Sequence, residues 1–259
     1  MKKSPANLGV VLCCLAVAGL SANATLGSLW TGTVDTNWDN LSNWDSNPNG
    51  GNGEVNILTN YPVVVTNNTL VPNDLLIAVA DSTPAPTGQV NISAGTFTIN
   101  YWTKVGDYSG NATLNLAAGT TASPGTFTGL DVGSGSFDSD NNANGNFMIG
   151  LYQSTGVFNM NTTGSLNVTE LRISPNGQGG SGTFNLDSGS VNVAGSLQVG
   201  SDFWGGNTTP ANFNMSGGTV AAGGEFWAGG SGTGTAQMTG GELSSSAWFV
   251  VGRNDQSVG

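Results

Sequence analysis

Three sets of side chains in this sequence have types and spacings that suit chemistry. Lys104 and Arg172 each stand two residues before a recurring glycine or serine, with Glu170 beside the second and Glu225 one position over. A base and paired carboxylates in such an array are what polysaccharide cleavage requires. The positions between them hold Met148, Gln198 and Trp227, which bring no acid or base partner, so the charged members are expected to be ordinary solvated residues. In the second set, Asp138-x-Asp140-x-Asn142-x-Asn144-Gly145 places oxygen side chains at alternate positions, a pattern suited to Ca²⁺. No Glu closes an EF-hand loop there, and a plain polar loop is expected. In the third, Trp102, Trp227 and Trp248 alternate with apolar neighbours. They are expected on an outer wall, either as rings for stacking on sugars or packed beneath loops.

The common catalytic constellations are missing. The sequence has no histidine, which removes the Ser-His-Asp, Cys-His and HExxH arrangements. Its glycine pairs recur at regular bends and form neither a P-loop nor a dinucleotide-binding turn. No catalytic, cofactor-binding or metal-binding residue is assigned, and a non-enzyme is expected.

At the amino terminus, Lys2 and Lys3 precede an apolar run from Leu8 to Leu20 and an Ala22-Asn23-Ala24 cleavage pattern. This reads as a signal peptide of residues 1–24, with the mature chain starting at Thr25. Both cysteines, Cys13 and Cys14, lie within it, so the mature chain is expected to fold without disulfides or thiolate metal sites. Beyond it only Lys104, Arg172 and Arg253 face 16 acidic residues. Such a surface repels phosphates and anionic headgroups, which disfavours nucleic-acid and membrane-surface partners. No membrane-spanning segment is expected in the mature chain.

What must position these side chains is a repeat. The 41 glycines and 9 prolines penalise long helices, and the apolar residues recur in a fixed phrase of apolar, Asn, apolar, two small residues and Gly. It occurs as Val90-Asn91-Ile92, Leu114-Asn115-Leu116, Phe184-Asn185-Leu186 and Phe213-Asn214-Met215, with variants at Phe158-Asn159-Met160 and Ala236-Gln237-Met238. A second phrase, apolar-x-apolar-Gly, follows 15 residues on: Asn91 to Gly106, Asn159 to Ser174, Asn185 to Gly200, Asn214 to Gly229 and Gln237 to Gly252. Asn115 reaches Gly150 only after 35 residues, which implies a 20-residue insertion.

Within the frame the apolar period is 2, as in Phe184/Leu186, Val191/Val193 and Leu197/Val199, so three short strands per repeat are expected. One such unit cannot bury its own apolar face, whereas stacked units build a continuous core. The expected fold is therefore all-β, a right-handed parallel β-helix (β-solenoid) with an atypical N-terminal cap, in preference to a β-sandwich or a β-propeller. The Asn side chains are expected either to pair along the axis or to sit at bends. Residues 25–88 are assigned to the cap and first strands, and 89–259 to the repeats.

The opening Trp30-Thr31-Gly32, Asn37-Trp38 and Asn43-Trp44, followed by Val55-Asn56-Ile57 and Val63-Val64-Val65, resembles the start of exported bacterial proteins with autotransporter-type β-strand repeats or a PEP-CTERM-like sorting tail. The resemblance implies a secreted or cell-surface β-helix. Trp30, Trp38 and Trp44 are assigned to the cap, with an exposed carbohydrate platform as the alternative. Neither a Pro-Glu-Pro sorting motif nor a translocator barrel occurs up to Gly259, and a further coil is expected beyond it. The expected role is a structural or adhesin-like surface protein whose partners are unidentified, with surface glycans or other envelope proteins as candidates. The alternatives are a lyase-like β-helix enzyme or a sugar-binding module.

Overall fold

A computed structural model describes residues 27–48, 53–59, 63–65, 72–80, 85–92, 95–99, 101–117, 127–132, 146–175, 179–200, 210–230, 232–253 and 259. The expected leader and the Asp138 to Gly145 loop lie outside the described residues. In each anchor segment small and apolar residues point inward and polar ones outward. In Thr87–Ile92, for example, Gly88, Val90 and Ile92 are buried while Thr87, Gln89 and Asn91 are half-exposed. This alternation makes a strand with one dry face, and stacking covers that face.

The result is a parallel β-solenoid of about six turns, with no α-helix among the described residues. Face one stacks Val63–Val65, Thr87–Ile92, Asn111–Ala117, the first halves of Thr155–Val168 and Ser181–Val193, then Ala211–Met215 and Gly234–Met238. Face two stacks Gly95–Ile99, Phe127–Val132, the second halves of the two long strands, Thr219–Ala222 and Glu242–Ser245. Face three is a nine-stranded sheet running from Ser28–Leu29 to Phe249–Val251. Its first members, Ser28–Leu29, Glu54–Ile57 and Asp74–Ala80, stack in parallel register before the first Asn-centred repeat begins. The insertion after Asn115 is divided between both flanks of Phe127–Val132. Leu130, the partner of Phe97, lies 15 residues after its anchor where Phe97 lies 6 after Asn91. The remainder falls before Asn146–Ile149, which still pairs with Thr103–Tyr108 on one side and Glu170–Ile173 on the other.

One expectation is modified. In two turns the first and second strands merge into Thr155–Val168 and Ser181–Val193, which carry the ladder around the corner. Their register slips between Met160 and Ser165, which accommodates the late glycine of the Phe158 repeat as a bulge.

The 15-residue offset has a backbone cause. Ala78 and Gly106 lie two residues before the ends of their face-three strands, Gly150, Ser174, Gly200, Gly229 and Gly252 directly follow theirs, and all have φ between +47° and +79°. One left-handed residue per turn swings the chain from face three toward face one, a conformation glycine adopts without strain.

Inside, Val63, Val90, Leu114, Phe158, Phe184 and Phe213 form one column in Cα register, which the exposed Ala236 continues at the far end. Successive rings approach to 4.7 Å (Phe158 and Phe184) and 5.3 Å (Phe184 and Phe213). Each ring removed from water contributes about 1.5–3 kcal/mol, so the column is a main source of cohesion. At the far end Phe249 is 56% exposed and Trp248 69% exposed, because no described strand lies over them.

The opposite end is closed. Trp30, Trp38 and Trp44 are buried and meet edge to face at 5.1 Å and 4.9 Å, and Trp38 also sits 4.8 Å from Phe97. Fully buried Asn43 holds the loop above them. Its Oδ1 accepts from the Val34 and Asp35 amides, and its Nδ2 donates to Asp35 Oδ1 at 2.6 Å and to the Asn37 carbonyl. These rings are a cap, and the exposed-platform alternative for them is overturned by their burial.

Candidate functional site

Face three positions the charged candidates in two adjoining rows. Lys104, Met148, Arg172, Gln198 and Trp227 follow one another in strand register, the column that the spacing implies. Two residues upstream, acidic side chains recur at Glu54, Asp74, Glu170 and Glu225. Three of these turns are linked through polar atoms: Asp74 Oδ1 accepts from the Trp102 amide at 2.9 Å, Glu170 Oε2 from the Ser196 amide at 3.2 Å, and Ser196 Oγ from the Glu225 amide at 3.2 Å. Burial raises the Asp74 carboxyl above its ordinary value, with the Trp102 amide opposing and the Glu54 charge adding. Burial likewise raises Glu170, opposed by Arg172 and by the Ser196 amide.

The basic residues are not the solvated side chains expected of them. Arg172 is only 8% exposed, flanked in its row by Met148 and Gln198 at 6% and 7%. Burial lowers its pKa and the Glu170 charge counteracts this. A guanidinium stem lying between two long neighbours is covered along its length, which sequence spacing alone does not reveal. Lys104 donates to Asp107 Oδ2 at 2.8 Å, and the Asp107 side chain is fully buried. The same ammonium lies 5.0 Å from the Trp102 ring centre. Lys104 and Arg172 are two strands apart, roughly 10 Å along the axis, with Met148 between them. Each therefore works with its own acid.

The three outer tryptophans do not form a ladder of rings. Trp102 and Trp248 stand four residues before their corner glycines, whereas Trp227 stands two before Gly229, which puts it in the other row. Arg253 covers the Trp227 ring at 4.3 Å and pairs with Glu225, whose Oε2 also accepts from Trp227 Nε1 at 2.5 Å. Trp248 alone of the three is largely exposed.

Face one shows a different chemistry. Asn115 donates to Asn91 Oδ1 at 2.7 Å, Asn159 to Asn115 at 2.8 Å, Asn185 to Asn159 at 2.8 Å and Asn214 to Asn185 at 2.9 Å. Of the two arrangements left open for these residues, the axial amide ladder is the one adopted. Beside it run two further outward rows that sequence reasoning missed, although they lie two and four residues before each anchor. The nearer contains Gln89, Thr113, Val157, Thr183 and Asn212, and the outer Thr87, Asn111, Thr155 and Ser181. A shallow trough of ≈ 280 Å³ follows the outer rows, and another of ≈ 410 Å³ follows the ladder past Asn159, Asn185 and Asn214.

Among the described residues no three His, Cys, Asp or Glu side chains are grouped to hold a metal ion, and no helix is long and apolar enough to cross a membrane. No family model, curated protein or solved structure matches the chain.

Proposed function

We propose that the protein is a non-enzymatic exported β-solenoid that serves at the cell surface or outside the cell as a structural or adhesin-like element. The observation that carries this reading is the engagement of its charged side chains with one another. Lys104 is held by Asp107, Arg172 lies beside Glu170, and Arg253 joins Glu225 and Trp227. An acid or base committed to such a partner is a strut of the sheet rather than a proton carrier. Export rests on the Lys2 to Ala24 leader pattern, and surface display on the resemblance to autotransporter-type and PEP-CTERM-like repeat proteins. Cell fractionation with protease shaving of intact cells tests the location: a product that stays in the cytoplasm with its leader attached refutes it.

A lyase-like or hydrolytic enzyme is the second reading. Its support is the Glu170 carboxyl, raised by burial and standing two strands from Glu225 in one outward row, since glycosidic cleavage uses two carboxyl groups. Release of reducing ends or unsaturated uronates from neutral and acidic polysaccharides, abolished in Glu170→Gln, would establish it over the first.

A further inference from the structure

We propose that the outer surface of face one is the docking surface for a neutral, extended polysaccharide chain lying along the solenoid axis. This rests on the extracellular reading above and supplies its ligand. The first support is charge. The rows through Thr113, Thr183 and the Asn ladder carry no ionisable side chain, whereas face three carries Glu54, Asp74, Lys104, Glu170 and Arg172. The protein has a net charge of −11, yet a neutral polyol lying along these rows meets no ion that must lose its water; the carboxylate beside them is Asp187 in the ≈ 410 Å³ trough, where it accepts from Ser216 Oγ.

The second support is preorganisation. A primary amide has two N–H donors and an oxygen with two lone pairs, and each interior ladder member uses one of each on its neighbours. Asn115, Asn159 and Asn185 each keep one further donor and one further acceptor capacity beyond the ladder bonds, at a pitch of ~4.8 Å. The ladder bonds already fix the rotamers, so little side-chain entropy remains to be lost on binding. A repeating donor and acceptor array matches a polymer of repeating hydroxylated units, and the ≈ 280 Å³ trough, whose lining holds no ionisable side chain, gives such a chain a bed.

A polypeptide partner fits less well. Backbone groups on the face of a sheet are already paired in the ladder, and Val157 is the lone aliphatic in the two outer rows named above, so little apolar area is offered for burial.

The test is retention of the full chain on insoluble β-glucan and chitin, with alginate as the charged comparison. Thr113→Lys/Thr183→Lys puts charge on an outward row without touching the ladder or the core. Retention on the neutral polymers should fall roughly tenfold or more with an unchanged melting temperature, while Thr113→Ser/Thr183→Ser keeps it. Should the double lysine variant fold poorly, Thr155→Lys at the rim of the ≈ 280 Å³ trough applies the same charge test. Equal retention of wild type and lysine variant overturns the proposal, as does wild-type protein that binds none of the neutral polymers. So does a glycan-free dimer that the lysine variant disperses, which would give the face to a second copy. Protein found on the cell surface but not retained by glycans would remove this ligand and leave the surface role standing.

Discussion

Asn185 donates through Nδ2 to Oδ1 of Asn159 at 2.8 Å while its own Oδ1 accepts from Asn214 at 2.9 Å, so one amide joins three successive turns. Each such bond contributes about 1 kcal/mol net. Asn185→Ala removes two and should destabilise the chain by about 1–3 kcal/mol in urea titrations. Asn185→Asp keeps the acceptor but sets a carboxylate against the Asn159 oxygen with no hydrogen to share. Its deficit should exceed that of the alanine variant at pH 7 and shrink in acid as the carboxyl regains a proton. An aspartate variant as stable as wild type at pH 7 would show that the ladder contributes nothing.

Thr103 occupies a core column between Leu75 and Phe147. Its side chain is fully buried, and its hydroxyl has no hydrogen-bond partner among the described residues. An unsatisfied buried polar group costs about 1–3 kcal/mol, and valine has nearly the same shape. Thr103→Val should therefore raise the urea midpoint; a lowered midpoint would mean the hydroxyl is satisfied after all.

The corner column predicts unequal effects at two of its members. Gly150 has φ +68°, and a Cβ added there would run into the Ser181 carbonyl. Gly150→Ala should thus cost about 2 kcal/mol or more, combining left-handed strain with a backbone clash. Ala78 already bears that strain at φ +53°. Relief of about 1 kcal/mol there competes with the loss of one buried methyl and the extra freedom of glycine when unfolded, so Ala78→Gly should change stability by less than about 1 kcal/mol. Comparable losses in the two variants would contradict the backbone argument.

Titration should give a stability maximum on the acid side of neutrality. Burial raises Asp74 and Glu170 above their ordinary values of 3.8 and 4.5. Their protonation favours the folded state, a contribution present below those values and lost as pH rises through the raised ones. Asp35 behaves oppositely, because donation from Asn40, the Asn37 amide and Asn43 holds its carboxyl below 3.8. Its contribution is complete above 3.8 and disappears as pH falls through the lowered value. Urea midpoints should rise as pH drops from 7 toward that region and then decline, and Asp35→Asn should weaken the final decline. A midpoint that falls steadily from pH 7 downward would refute the assignment.

The solenoid was legible because its repeat unit is short and every turn restates the same constraint: a left-handed corner lies 15 residues after the anchor in five of the six repeats. A third column was equally present in the sequence and went unread. Gly88, Ala112, Gly156, Gly182, Ala211 and Gly234 lie three residues before each anchor and stack in register. A Cβ on Gly156 or Gly182 would strike the carbonyl of Val105 or Ile149 across the corner, which is why only small residues occur there. The separation of Trp227 from Trp102 and Trp248 was also readable, as unequal distances to the corner. The burial of Arg172 was not, since it depends on what its neighbours cover and not on its place in the period.

The two long strands, Thr155–Val168 and Ser181–Val193, pair on two faces, on either side of the register slip between Met160 and Ser165. Turns of a solenoid touch only their immediate neighbours, so a force applied along the axis peels them one at a time. In this pair each strand runs on from face one to face two, so the pairing on either side of the slip holds the other side in place. Under tension the molecule yields from its flanks inward and keeps this middle segment as the last rung to let go.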